Sequence, residues 1–315
     1  METEKLLKTF GVIYDLQRMC VNDGPGFRTT VFCKGCLLNC KWCHNPEGKR
    51  RYPEAIPFTS NCNKCGLCAA ACPTGAMGIT ADGFPVIDRS LCTDCFQCVS
   101  SCKDDGLVVW GRIVTAESVM AEVSADKPFY KNSGGGLTVS GGEPMAQPDF
   151  VHALFSLCKE SPDPEERIRT ALDTCGHAPW ASFEKIVPLT DLVLLDLKHM
   201  DSDAHRAYTG AGNEIILENA RRIAAAGVPL RLRVPVIPGV NDTEENFLAT
   251  ARFAESLGPA VTGVDLLPYH PYAGHKYRAF GMAYDFPAGE GYDDATLLPV
   301  VEIFVEKVAE VTIGG

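Results

Sequence analysis

Three cysteines, Cys36, Cys40 and Cys43, fall within eight residues in the spacing CxxxCxxC. Four-iron clusters ordinarily take four cysteine ligands, so a run of three leaves one iron with an open coordination position that can accept a substrate. Structural zinc is the alternative for the same run. It needs a fourth ligand, and His44 is adjacent. Two further runs, Cys62, Cys65, Cys68, Cys72 and Cys92, Cys95, Cys98, Cys102, both read CxxCxxCxxxC at an offset of 30 residues. Other unusual residues stand apart from these runs: Gly141, Gly142 and Glu143 in GGEP, Asp173 and Thr174 in DTCG, Asp196 and Lys198 in DLK, Arg233 in RLRVP and His270 in PYH. Each has a plain reading on its own. GGEP is a strand-ending turn, Asp196 and Lys198 are two residues apart on one face and can pair with each other, and Arg233 and His270 are ordinary structural residues.

The elements that would position these residues alternate short β-branched runs with segments of helical period. The predicted strands are Val12–Leu16, Thr29–Phe32, Leu137–Ser140, Thr170–Asp173, Leu192–Leu197, Leu230–Ile237 and Val264–Leu267. Helical periodicity covers 116–124, 150–159, 214–226, 244–257 and 297–311. Thr243 ahead of Glu244 predicts an N-cap, and Gly227 before Pro229 a helix stop. Alternating βα units imply a parallel sheet, and the reading is an α/β fold: a partial (β/α)6 TIM-like barrel. The unusual residues follow the ends of successive predicted strands. In such barrels the loops at strand C-termini share one mouth, so the motifs should converge on a single site.

Composition narrows the function classes. The 315 residues are 46% hydrophobic and 22% charged, with no apolar run of the roughly 18 residues that a membrane span needs. METEKLLKTF lacks the apolar core and cleavage site of a secretory signal, which places the protein in the cytoplasm, with no membrane partner. A net charge of -11 argues against nucleic-acid binding, because neutralising phosphates takes clustered Lys and Arg. Fifteen cysteines in a reducing compartment point to metal instead of disulfides. Eleven lie in the three runs; Cys20, Cys33, Cys158 and Cys175 are scattered and read as core or surface thiols, with Cys175 the exception because DTCG places it near the expected site.

The paired runs resemble the two-cluster ferredoxins, in which three cysteines of a run bind one cluster and the fourth, usually followed by proline, binds the other. That rule groups Cys62, Cys65 and Cys68 with Cys102, and Cys92, Cys95 and Cys98 with Cys72. Pro73 follows Cys72 as expected, whereas Lys103 follows Cys102, a departure in the local turn. The expected organisation is a barrel formed by 1–43 and 109–315, interrupted by a ferredoxin-like insert at 44–108 that carries two [4Fe-4S] clusters.

Trp42 directly before Cys43 makes the first run resemble the signature of radical S-adenosylmethionine (SAM) enzymes. DGPGFRT (23–29), SGGGLTVSGGEP (133–144), DTCG, DLVLLDLKHM, RLRVPVIPGVND and LLPYHPY resemble the glycyl radical enzyme activating enzymes over most of the chain. The resemblance implies that Cys36, Cys40 and Cys43 hold a [4Fe-4S] cluster whose free iron is chelated by SAM, giving three clusters in all. It places Trp42 near adenine, and Gly141, Gly142 and Glu143 at the methionyl amino end. Asp173, Thr174, Asp196 and Lys198 would lie at SAM or at a monovalent cation beside it, and Arg233 and His270 would be further site positions. The implied activity is reductive cleavage of SAM to a 5'-deoxyadenosyl radical, which takes hydrogen from a glycine in the C-terminal glycine loop of a partner glycyl radical enzyme. That partner is a lyase, decarboxylase or dehydratase, for example of the choline trimethylamine-lyase or isethionate sulfite-lyase type. Flavodoxin or ferredoxin would donate the electron. Two rivals are a radical SAM enzyme acting on a small molecule and a ferredoxin-like electron carrier; the carrier leaves Cys36, Cys40, Cys43 and GGEP unused.

Overall fold

The computed structural model describes residues 2–284, Phe286 and residues 291–314. Strands β1 (Phe10–Cys20) and β2 (Arg28–Cys33) begin the main sheet. The next four, β3 (Glu54–Pro57), β4 (Met77–Ile79), β5 (Pro85–Ile87) and β6 (Leu107–Trp110), form two separate two-stranded sheets, β3 with β6 and β4 with β5. The chain then returns to the main sheet with β7 (Arg112–Thr115), β8 (Gly136–Gly141), β9 (Arg169–Thr174), β10 (Leu192–Asp196), β11 (Leu230–Val236), β12 (Val261–Pro268) and β13 (Val311–Ile313). Its nine strands run β13-β12-β11-β10-β9-β8-β2-β1-β7. From β2 to β13 every pairing is parallel, while β1 is antiparallel to both its neighbours.

Parallel strands covered on both faces need apolar residues on both, and β2, β8 and β9 are buried along most of their length. Strand β11 instead alternates: Leu230, Leu232, Val234 and Val236 are buried, which turns Arg231 and Arg233 to the opposite face. The helix Pro148–Lys159 lays Phe150, Val151, Leu154 and Phe155 into the core. The ring of Phe150 sits against Gly11 of β1, where an added Cβ would lie 2.2 Å from it, so β1 needs glycine at that point.

All seven predicted strands are present. Thr243 caps the helix Glu244–Ser256 by accepting from the Asn246 N–H, and Gly227 takes a left-handed φ of 75° after the helix Glu214–Ala225. The predicted helix at 297–311 differs at both ends. Asp293 caps its start, so it runs Asp294–Val305, and the β-branched Val311–Ile313 leave it to pair with Val264–Leu266 as edge strand β13.

Between β2 and β7 the chain folds apart from the main sheet. Pairing of β3 with β6 brings the two ends of this cysteine-rich segment together. Inside it, the helices Leu67–Ala70 and Gln97–Ser100 start 30 residues apart, as the sequence repeat requires. Left-handed φ values recur at matched positions, 63° at Lys64 and 50° at Asp94, then 73° at Gly66 and 58° at Phe96. A bulky residue such as Phe96 adopts that conformation only when the surrounding turn enforces it.

Candidate active site

The C-terminal ends of β2 and β8–β12 meet around one cavity of about 260 Å³. Cys36, Cys40, Trp42 and Cys43 reach it from the loop after β2, and Gly141 and Gly142 from β8. Asp173 and Thr174 come from β9, Asp196 and Lys198 from β10, and Pro235 and Tyr269 from β11 and beyond β12. Close packing holds the cysteine loop in place. The Glu143 N–H donates to Gly35 O (2.7 Å) and the Gly142 N–H to Cys33 O (2.8 Å). A Cβ on Gly142 would stand 2.3 Å from Gly48 O and 2.4 Å from Gly35 O, so only glycine lets the two loops approach this closely. Gly141 has a φ of 119°, outside the range of other residues.

The charged groups are arranged in pairs. Lys198 Nζ donates to Asp196 Oδ2 at 2.6 Å. Burial works against its charge, but the Asp196 carboxylate more than compensates and its pKa is raised. Ser140 Oγ (2.6 Å) and Arg233 Nη1 (3.2 Å) both donate to Asp173 Oδ2. Burial pushes the Asp173 carboxyl up; Arg233 pulls it back, and the neighbouring Asp196 adds repulsion. Trp42, 6% exposed, packs between Tyr208 and Phe286 with both ring centroids at 6.2 Å.

Three of the sequence-predicted residues lie off the cavity wall. Glu143 is fully buried and its carboxylate is committed to the protein: Oε1 accepts from the Met145 N–H (2.9 Å) and Thr174 Oγ1 (2.7 Å), and Oε2 from the Cys175 N–H (2.8 Å). It clamps the loop after β8 to the loop after β9. Arg233 stands behind Asp173, and His270 is exposed and stacked on Tyr272. Cys175, which the sequence places beside the expected site, is on the wall, and among the lining residues that sequence reasoning missed are Ser140, Lys49 and Tyr269. Ser140 directly precedes GGEP and Tyr269 lies within PYH, motifs already singled out, which was the available signal.

A cluster fits the donor set. Burial pushes the Cys36 thiol to about 11 and the Cys40 thiol to about 12, so a bound metal would have to stabilise the thiolates, as coordinated metals do. His44, also on the wall, keeps a buried Nε2 with no partner among the described residues, a polar atom available to a polar ligand. Among the described residues no three His, Cys, Asp or Glu side chains converge on a single-ion position. In the cysteine-rich segment, Cys62, Cys65, Cys68 and Cys102 border one small cavity and Cys72, Cys92, Cys95 and Cys98 another. A larger hollow of about 910 Å³ lies at the opposite ends of β8–β10, lined by Gly135, Arg167 and Arg169 and by none of the cysteine motifs.

The radical SAM superfamily matches residues 87–254, and a 4Fe-4S dicluster domain matches residues 56–103. The isethionate sulfite-lyase activating enzyme of Nitratidesulfovibrio vulgaris is 39% identical, over 96% of this chain and 97% of that protein. The chain belongs to the radical SAM superfamily, among the glycyl radical enzyme activating enzymes. A (2S)-3-sulfopropanediol dehydratase activating enzyme of Klebsiella oxytoca is 38% identical over 87% of this chain and 86% of that protein. Of solved structures, a domain of a pyruvate-formate lyase-activating enzyme from Bacteroides vulgatus is 31% identical, covering 57% of this chain and 99% of its own, with a TM-score of 0.47. For this activating enzyme, the superfamily match takes in Gly141 to Lys198 on the cavity wall and begins after Cys43, while the dicluster match takes in both cysteine repeats. Iron–sulfur clusters and SAM are its cofactors, and a glycyl radical enzyme is its class of partner. Among the described residues no helix is long and apolar enough to cross a membrane.

Proposed function

We propose that this activating enzyme installs the glycyl radical on an isethionate sulfite-lyase-type partner, using a SAM site built on Cys36, Cys40 and Cys43. The observation that carries the reading is the convergence of those cysteines with Gly141, Gly142, Asp173, Thr174, Asp196 and Lys198 on one cavity. A [4Fe-4S] cluster held by the three cysteines would chelate SAM and supply the electron that cleaves its S–C5' bond, yielding methionine and the 5'-deoxyadenosyl radical. The chain's own residues bind and orient. Gly142 allows backbone to approach the methionyl end. The Lys198 ammonium offers a cation to a carboxylate, and Trp42 forms an apolar flank for adenine. Asp173 and Asp196 are close enough to repel, which suits a monovalent cation beside SAM. In this reading Glu143 acts indirectly, by clamping the wall, and Arg233 acts through Asp173. His270 belongs to the rim, where a partner's glycine loop would approach.

The main sheet, in this reading, curls into a partial (β/α)6 barrel formed by 1–43 and 109–315, with 44–108 as an inserted ferredoxin-like domain. Its two [4Fe-4S] clusters take Cys62, Cys65, Cys68 and Cys102, and Cys92, Cys95, Cys98 and Cys72; the two small cavities support that grouping. Flavodoxin or ferredoxin is the electron donor. The partner choice rests on the names of the relatives. To test it, the anaerobically reconstituted protein is mixed with reductant, SAM and, in turn, an isethionate sulfite-lyase, a sulfopropanediol dehydratase and a 4-hydroxyphenylacetate decarboxylase. A glycyl doublet by electron paramagnetic resonance is expected with the first. A doublet only with another partner would reassign the substrate protein.

A further inference from the structure

The two cysteine sets of the insert are related by an internal repeat, yet the structure ties them differently to the rest of the chain. Lys34, two residues before Cys36, is completely buried; its Nζ donates to Glu47 O (2.6 Å) and to Glu54 Oε2 (3.0 Å). Glu54 is also fully buried, and its second oxygen accepts from Arg50 Nη1 at 3.2 Å. Arg50 Nη2 in turn donates to Asp94 Oδ2 at 2.9 Å. Asp94 lies between Cys92 and Cys95. A line of charged hydrogen bonds thus runs from the base of the first cysteine loop to the middle of the third cysteine run.

At the matched position of the other repeat stands Lys64, of opposite charge, its ammonium over the Phe84 ring at 4.3 Å. The cavity bordered by Cys72, Cys92, Cys95 and Cys98 includes Ala55, the neighbour of Glu54. Arg89 adds a second tie, donating to Ala55 O (2.7 Å) and to Phe280 O (3.4 Å), next to the helix Gly274–Ala279. Lys276 of that helix pairs with Glu47 at 2.6 Å. The other cavity is bordered only by residues 61–107, and Asn61, Asn63, Lys64 and Cys65 on its rim are exposed. Completely buried ion pairs such as Lys34–Glu54 gain little net stability over apolar packing; their best-attested use is to set registry.

We propose that Lys34, Glu54, Arg50 and Asp94 are positioning residues, an ionic strap that makes the Cys72, Cys92, Cys95 and Cys98 centre the inner of the two auxiliary centres. The Cys62, Cys65, Cys68 and Cys102 centre is then the outer one. This rests on the three-cluster reading above. With clusters bound, one electron from a low-potential donor protein would enter at Cys62, Cys65, Cys68 and Cys102, pass to the centre held by Cys72, Cys92, Cys95 and Cys98, and leave it for the SAM site, so that each centre would return to its oxidised state.

Arg50 and Asp94 also bias the inner centre electrostatically, with opposite signs. Reduction adds a negative charge, so removing the cation in Arg50→Gln lowers the midpoint potential of the inner centre, and removing the anion in Asp94→Asn raises it. The experiment is a redox titration of anaerobic protein followed by electron paramagnetic resonance. Cys98→Ser and Cys68→Ser assign the two auxiliary signals. Expected are opposite shifts of the signal that Cys98→Ser removes, no shift of the signal that Cys68→Ser removes, and unchanged iron content. Two unmoved signals, equal shifts of both, or movement of the signal lost in Cys68→Ser would overturn the strap. Iron content far below about twelve per chain, three four-iron clusters, would overturn instead the reading on which it rests.

Discussion

Replacing Glu143 separates a clamp from a ligand contact. Its fully buried carboxylate accepts three hydrogen bonds, two from backbone N–H groups of Met145 and Cys175 and one from Thr174. Glu143→Gln keeps the shape and one acceptor oxygen. If that oxygen keeps Met145 and Thr174, the new amide faces the Cys175 N–H, donor against donor. One buried donor left unpaired costs about 1–3 kcal/mol. Glu143→Ala abandons all three donors. Relief from burying a charge offsets part of that loss, leaving roughly 3–5 kcal/mol. At about 2 °C per kcal/mol for a chain of this size, the expected fall in thermal midpoint is roughly 2–6 °C for Gln and roughly 6–10 °C for Ala. The assay is tryptophan fluorescence during anaerobic heating at matched iron content, with SAM affinity measured on the same samples. A clamp requires the midpoint to fall in both variants. An unchanged midpoint in Glu143→Ala together with a large loss of SAM affinity would refute the reasoning and place the carboxylate on the ligand.

Gly142→Ala drives a methyl group into Gly48 O and Gly35 O, so the cysteine loop must shift; the expected cost is about 1–3 kcal/mol, with weaker SAM binding by calorimetry. Lys198→Met keeps the apolar stem but leaves Asp196 without its cation, and SAM affinity should fall roughly tenfold or more, read by equilibrium binding under argon. Asp126 tests the pH dependence: hydrogen bonds from Arg18, and then from Thr29 against the effect of burial, hold its carboxyl below the ordinary value. A depressed native pKa contributes stability above the unfolded value, near pH 4, and that stability is lost as pH falls through the native value. Asp126→Asn should therefore lower the thermal midpoint at pH 7 and flatten its decline below about pH 4. An acid limb identical to wild type would contradict this.

Legibility in the sequence followed the range of each interaction. Cys36, Cys40 and Cys43 stand out as candidate ligands because cluster ligation would impose a spacing over a few residues, and the repeat at 62–72 and 92–102, inside the matched dicluster domain, stands out for the same reason. Convergence of GGEP, DTCG and DLK followed from their places at strand ends, since parallel βα units put those ends on one side. Glu143 was harder: its partners Thr174 and Cys175 are 31 and 32 residues away, and no local pattern distinguishes a clamp from a ligand contact. The same applies to Lys34 and Glu54, charged residues whose complete burial depends on the cysteine-rich segment packing against the end of β2. Strand β13 was not read, and its first residue, Val311, stood as the end of a helix, because three β-branched residues carry too short a period, and only the edge of β12 makes them a strand.

The central claim is a metal centre one protein ligand short, at which SAM binds and is split by one electron. Its most direct measurement is the yield of 5'-deoxyadenosine when fully iron-loaded protein is reduced in the presence of SAM under argon, for wild type and Cys40→Ala. Wild type should release 5'-deoxyadenosine, and the variant should release none while keeping the signals of its auxiliary centres. No product from wild type, or an equal yield from Cys40→Ala, would contradict the account.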